Sequence, residues 1–208
     1  MELGGGPRVS IADWGRRDIL GGMEIRAMTA GDLGALRDID ATVESSQYLH
    51  VERAGEGLAF SWKTQLRPLR EKRMHRHALD DEREFAIKQI VAGIEEGIAL
   101  VAEHEGRPVA TAAAIPDHSA GVLRLIDLRV DFDFRRQGLA SAMLFRMIQE
   151  ARQSELRAVM ARSPADDFPA LQLLGKLGFE PAGLDTHYHS NHDLVKESVI
   201  LFFYLSLD

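Results

Sequence analysis

The sequence predicts an α/β (α+β) domain: a mixed, mostly antiparallel central sheet with helices on both faces. Two segments, one after Gly138 and one after Asp167, carry apolar residues at helical spacing. Between residues 98 and 130, short runs rich in Val, Ile, Leu and Ala are separated by turn residues, the pattern of a strand meander. The elements follow as strand, helices, meander, helix, strand, helix and two closing strands, an order that fits neither a pure bundle nor a pure sandwich.

Residues 1–22 hold Gly4-Gly5-Gly6-Pro7 and end in Gly21-Gly22, which reads as a flexible N-terminal extension before a single domain over residues 23–208; Met23 can itself serve as a start. Met23, Ile25 and Ala27 alternate with Glu24 and Arg26, predicting a strand. Thr29 with Asp32 three residues on forms a capping-box pattern ahead of Leu33, Leu36 and Ile39. Residues 42–79 hold scattered aromatics (Tyr48, Phe60, Trp62) and a basic stretch, Arg67 to His77. They read as a solvated helix or loop excursion, or in a functional reading as a flap over an acceptor site.

Asp80 and Asp81 can cap a helix carrying Ile87, Ile90, Val91 and Ile94, ended by Gly97. Ile98 to His104, a turn at Glu105-Gly106-Arg107, and Val109 to Ile115 form a hairpin, and Val122 to Val130 supplies the central strand. After Gly138, Ala140, Met143, Leu144, Met147, Ile148 and Ala151 keep helical spacing. Ala158 to Ala161 is a short strand; Asp167, with Pro169 in the first turn, starts a helix carrying Ala170, Leu173, Leu174 and Leu177, stopped by Gly178. Strands around Phe179 to Tyr188 and Glu197 to Leu207 close the domain.

With 208 residues, 45% of them hydrophobic, the chain can bury the core of one ordinary domain. It has no cysteine, which excludes disulfides, thiolate metal sites and an acyl-cysteine intermediate. An acyl group would pass directly from donor to acceptor, or through a serine. The net charge of -7 and pI near 5.6 argue against nucleic-acid partners. The longest apolar run, Val199 to Leu207, is strand-length and far short of the roughly 20 residues that span a bilayer, so no membrane partner is expected. Asp13, Arg16, Arg17 and Asp18 interrupt residues 1–22 in a way no signal peptide tolerates, and a cytoplasmic location is expected. A homodimer remains open.

Between the central strand and the strongest helix lies Val130-Asp-Phe-Asp-Phe-Arg135-Arg136-Gln137-Gly138-Leu139-Ala140-Ser141. A strand running through a tight loop into a helix leaves unpaired N–H groups at the positive end of the helix dipole, a place for a phosphate. Gly138 and Ala140 let an anion approach, and Arg135 and Arg136 supply charge that the acidic chain lacks elsewhere. The alternative is a glycine-containing helix start with two surface arginines.

Arg135-x-x-Gly138-x-Ala140, after Leu128-Arg129-Val130, resembles the cofactor signature of the GNAT superfamily of N-acetyltransferases. Asp167-x-x-Ala170-x-x-Leu173-Leu174-x-Lys176-x-Gly178-Phe179 is similar to that superfamily's following helix. The resemblance covers Met23 to Asp208, and the tail is similar to that of streptothricin acetyltransferases. It implies a sheet splayed at its middle and acetyl-CoA as co-substrate. Backbone at Leu128, Arg129 and Val130 would bind the pantetheine arm. Arg135, Arg136, Gln137, Gly138, Leu139, Ala140 and Ser141 would bind the pyrophosphate, and Asp167, Ala170, Leu173 and Lys176 would flank the rest. The implied reaction moves an acetyl group to the primary amine of a small molecule or peptide; the alternative is a catalytically weak acyl-CoA-binding or regulatory module.

Transfer to an amine needs a neutral nucleophile, and an alkylammonium near pKa 10.4 costs about 4 to 5 kcal/mol to deprotonate at pH 7. Asp127, interrupting the apolar run Leu123, Leu125, Ile126, Leu128, is the candidate base. It reads equally well as an ion-pair partner of Arg124 or Arg129, or as a hydrogen-bond acceptor closing the sheet. Strand N–H groups can polarise the thioester carbonyl. The tyrosine acid usual in the superfamily falls at Leu174, which cannot donate a proton, and Tyr188 is the candidate replacement. His187-x-His189-x-x-His192 fits no common metal spacing and reads as a solvated hairpin. P-loop, zincin and serine-hydrolase motifs are missing from the sequence.

Overall fold

The computed structural model describes residues 18–20 and 22–207, so most of the segment read as an extension lies outside the described residues. Its elements are β1 (Asp18–Leu20), β2 (Met23–Ala27), a 3-10 helix (Ala30–Asp38), β3 (Thr42–Glu56), β4 (Ala59–Arg76), α1 (Asp81–Val91), β5 (Ile98–His104), β6 (Arg107–Asp117), β7 (Val122–Val130), a 3-10 turn (Phe132–Phe134), α2 (Leu139–Gln153), β8 (Ala158–Pro164), α3 (Phe168–Lys176), β9 (Glu180–Asp185), α4 (Asp193–Lys196) and β10 (Ile200–Ser206). No described helix is long and apolar enough to cross a membrane.

One sheet runs β1-β2-β5-β6-β7-β8-β10-β9. Every pairing in it is antiparallel except β7 with β8. Alternation sends successive residues to opposite faces. On one face Leu100, Ala102, Ala110, Ala112 and Leu123 meet Met143, Met147 and Ile148 of α2. On the other, Ala99, Val101 and Ala113 meet Leu36 of the 3-10 helix and Ile87 and Ile90 of α1. Both faces are covered, as the order of elements predicts.

The sheet comes apart in the middle. β7 and β8 pair only at Val122 with Ala158, Leu123 with Val159 and Arg124 with Met160. At that point the register of β7 against β6 shifts: Ala114 faces Leu125 while Ala113 faces Asp127, so Ile126 has no opposite number. Such a bulge bends and twists its strand. Beyond it, residues 125–130 pair with no strand on the β8 side among the described residues, and the splayed sheet expected from the resemblance is present.

Three local expectations need correction. Residues 42–76 are neither helix nor loop: β3 and β4 pair along their lengths as a separate two-stranded ribbon, closed by the two-residue loop Gly57-Leu58. Helix α1 ends at Val91, not at Gly97, because Gly93 takes a left-handed φ of 69° and its N–H returns to the Ile90 carbonyl; Ile94 is therefore exposed. The segment after Thr29 is a 3-10 helix, a tighter coil consistent with glycines at 31 and 34 in a short stretch.

Arg26 of β2 fastens this helix to the sheet. It donates to both Asp32 oxygens at 2.7 and 2.8 Å and to Glu103 of β5 at 2.7 Å. Burial alone would raise the Asp32 carboxyl, but the Arg26 guanidinium and the N–H and hydroxyl of Thr29 bring it down to about 2. A carboxyl whose folded pKa lies below its unfolded value adds stability above that unfolded value and loses it as pH falls through the folded one. Asp32→Asn should therefore lower stability at neutral pH and flatten the loss of stability between about pH 4 and pH 2. Urea midpoints measured across pH check this; an acid limb unchanged by the substitution would refute it.

Candidate functional site

The split opens a cleft of about 1310 Å³ between β7, β8, the start of α2, α3 and the first turn of α1. That exceeds the common range for one drug-sized ligand, up to about 1,000 Å³, and leaves room for two reactants. One wall is the free edge of β7. Asp131 N–H goes to the Val109 carbonyl on β6. Because an antiparallel strand alternates its partners, Arg129 N–H also points toward β6, and the N–H groups of Leu128 and Val130 point into the cleft.

The loop after β7 is tied down from outside. Asp40 accepts the Phe132 N–H through its carbonyl at 2.8 Å, and its own N–H reaches the Asp131 carboxylate at 3.3 Å. The chain then turns through Arg136, at a left-handed φ of 60°, and Gly138 at 87°. Gly138 is the N-cap of α2 and has no side chain to cap it, and the first backbone bond of the helix is Ala142 N–H to the Gly138 carbonyl. The N–H groups of Leu139, Ala140 and Ser141 have no acceptor among the described residues, at the positive helix end where an anion is favoured.

Arg135 and Arg136 play different parts. Arg135 is half-buried and donates to the Val130 carbonyl at 3.1 Å; burial lowers its pKa, opposed by the carboxylates of Asp167, Asp40 and Asp131. Arg136 lines the cleft, exposed and without a partner among the described residues. Gln137 does not line the cleft, and its amide donates to the Asp133 carbonyl.

The opposite wall is α3. Asp167 caps it by accepting the Ala170 N–H at 3.1 Å and stands 3.1 Å from His77, just after β4. Arg73 of β4 holds the adjacent Asp166 at 3.0 Å, and Ser45 of β3 accepts the Phe168 N–H. The ribbon thus braces the start of α3. At its base Ala41, Val43 and His77 line the cleft, as do Ala170, Leu173, Leu174 and Lys176 of α3. Leu174 is buried and aliphatic where a tyrosine is expected.

Asp127 and Arg129 both line the cleft, and of the readings left open for Asp127 the geometry shows the ion pair with Arg129. The Asp127 side chain is 0% exposed; it takes the Thr111 hydroxyl at 2.8 Å and Arg129 Nε at 3.0 and 3.1 Å. Arg129, itself buried, also donates to the Leu36 carbonyl. The bulge turns both side chains toward the 3-10 helix, so Asp127 is half of a buried ion pair and the Arg129 guanidinium is unavailable to a ligand. Tyr188, 42% exposed, lines the cleft and accepts a hydrogen bond from Arg162 Nη1. His187, His189 and His192 do not converge, and no cluster of three or more metal-ligating side chains occurs among the described residues. Arg83, Arg124, Arg162 and His77 also line the cleft; sequence reasoning missed them because they lie on elements chosen for their apolar positions or on the unread ribbon.

A family model described as "Acetyltransferase (GNAT) family" matches residues 62–179. No curated protein matches the chain. Among solved structures, a nourseothricin acetyltransferase is similar at 16% identity and TM-score 0.73, covering 90% of this chain and all (100%) of its own. A Bacillus anthracis str. Ames protein assigned as a streptothricin acetyltransferase, in complex with acetyl coenzyme A, is similar at 14% identity and TM-score 0.71, covering 89% and 98%. The ribosomal-protein-S18-alanine N-acetyltransferase of Escherichia coli follows at 21% identity and TM-score 0.58, covering 89% and 94%.

Proposed function

The chain belongs to the acetyltransferase (GNAT) family, whose acyl donor is acetyl-CoA, and on that premise we propose that it transfers the acetyl group directly to the primary amine of a small molecule or peptide. The observation that carries this reading is continuity: the open N–H groups of Leu128 and Val130 lead straight to the open N–H groups of Leu139, Ala140 and Ser141. An extended amide-bearing arm pairs with the first set and a diphosphate with the second. Arg136 and Lys176 supply cations at the diphosphate end.

In the reaction the amine nitrogen bonds to the thioester carbon, a tetrahedral intermediate forms, and the C–S bond breaks as the carbonyl re-forms. The nitrogen loses a proton and the departing thiolate gains one. Leu174 cannot supply that proton. Tyr188 can, because its hydroxyl oxygen accepts from Arg162, which leaves the hydroxyl hydrogen free and sets a cation beside the phenolate that remains. A thiolate with pKa near 8.5 leaves without obligatory help, so Tyr188→Phe should lower kcat about 10-fold with little change in KM for acetyl-CoA. Steady-state thiol release checks this; an unchanged kcat would remove Tyr188 from the chemistry.

Leu174 favours a second reading, a module that binds acetyl-CoA and turns it over weakly. Steady-state thiol release from acetyl-CoA with a panel of primary amines separates the two. Turnover with at least one amine supports the enzyme, and binding without turnover on every amine supports the module.

A further inference from the structure

Resting on the transfer reading, we infer that the acceptor amine carries an anionic group, a carboxylate or phosphate, recognised by Arg124 and Arg162. The arginines of the cleft divide by what they already hold. Arg83 is committed to Asp80 at 2.6 Å and to the Ala78 carbonyl, Arg129 to Asp127, and Arg135 to the Val130 carbonyl. Arg136 stands at the diphosphate end. Arg124 and Arg162 remain on the acceptor side.

Arg124 makes no hydrogen bond or ion pair among the described residues; the carboxylate acting on it from a distance, Asp117, is already taken by Ser119 and the Ala120 N–H. Arg162 holds only the Tyr188 hydroxyl and ring. Both guanidinium-bearing residues are exposed and line the cleft.

Strand register brings them together. Arg124 lies opposite Met160 in the last pair before the split, and Arg162 follows Met160 by two residues, so both side chains leave the same face of the sheet. That face carries Ile126 and looks toward α1, away from the face where Leu123 and Val159 pack. Arg124, without a partner among the described residues, and Arg162, which holds the Tyr188 hydroxyl but no carboxylate, form a fork on adjacent strands suited to a planar or tetrahedral oxyanion. In a chain of net charge -7, cations left unpaired beside a reaction site are not explained by the general surface. The carboxylates lining the same half are Asp127, held by Arg129 and the Thr111 hydroxyl, Asp80, held by Arg83, and Glu82 on the first turn of α1, which has no partner among the described residues and suits the ammonium end of such a molecule.

The test uses the full chain with saturating acetyl-CoA. Glycine, β-alanine and 4-aminobutyrate are each compared with their amides, and phosphoethanolamine with ethanolamine, by thiol release. An α-amide has a less basic and more available amine than its acid, so a preference for glycine over its amide cannot come from amine basicity. The expected result is a kcat/KM ratio of at least about 10 in favour of the anionic member of one or more pairs, falling about 10-fold in Arg124→Gln and partly restored in Arg124→Lys. Turnover without anion preference, or a preference that survives Arg124→Gln, overturns the inference and leaves the transfer reading standing. Acetyl-CoA binding with no turnover on any amine overturns both. A preference for succinyl-CoA over acetyl-CoA with ethanolamine, lost in Arg124→Gln, would place the anion on the acyl group and overturn the acceptor assignment.

Discussion

Gly138→Asp should weaken acetyl-CoA binding by at least about 100-fold. The glycine occupies a left-handed backbone at φ 87°, where a side chain adds strain of about 1–2 kcal/mol. The larger effect is electrostatic. An aspartate at an N-cap turns its carboxylate onto the N–H groups of the first helical turn, the groups that have no acceptor among the described residues. The protein would supply its own anion where the diphosphate belongs, and the two negative charges would compete for one site. Gly138→Ala separates the contributions, since it brings strain without charge and should cost about 10-fold or less. Calorimetric titration with acetyl-CoA measures both; an aspartate variant that binds as well as the parent would end the assignment of this loop.

Asp127→Asn should destabilise the fold by about 3–5 kcal/mol, because it leaves the buried Arg129 guanidinium without its counter-ion. For a chain of this length that corresponds to a fall in Tm on the order of 10 °C. Breaking a buried pair costs more than replacing it, so the double substitution Asp127→Leu with Arg129→Met should recover much of the loss. Thermal unfolding of the three proteins decides the matter. If Asp127→Asn keeps the parental Tm and loses turnover, the carboxylate acts on the substrate and not on its neighbour.

The contrast between these residues shows where the sequence was readable. Helix α2 and its loop were legible because Met143, Leu144, Met147 and Ile148 repeat at helical spacing directly after a glycine, and both signals are local. The β5–β6 hairpin was legible for the same reason. Asp127 was open between two readings because its fate turns on a bulge at Ile126, and a bulge depends on the register of a partner strand that no local pattern reports. The β3–β4 ribbon was missed for a related cause. Its register slips between Ser45 and Gln47, so the buried Val43, Ser45, Tyr48 and Val51 break a simple period of two. The Gly57-Leu58 turn was a signal that would have served, had the strands on either side been more apolar. Arg124 and Arg162 gave no signal, since only the pairing of Arg124 with Met160 makes neighbours of them.

An unsatisfied strand border is ordinarily a hazard, a template on which any stray polypeptide can add itself. In this molecule that border is one wall of a trench, faced by α3 and flanked by the start of α2. A foreign strand arrives attached to its own sheet, with neighbours and side chains too bulky to descend between helices. A slender, flexible arm carrying amides along its length has no such girth. The same trench that gives a narrow guest its docking rail therefore keeps other strands off this one border, and selection by thickness comes before any recognition of chemical groups.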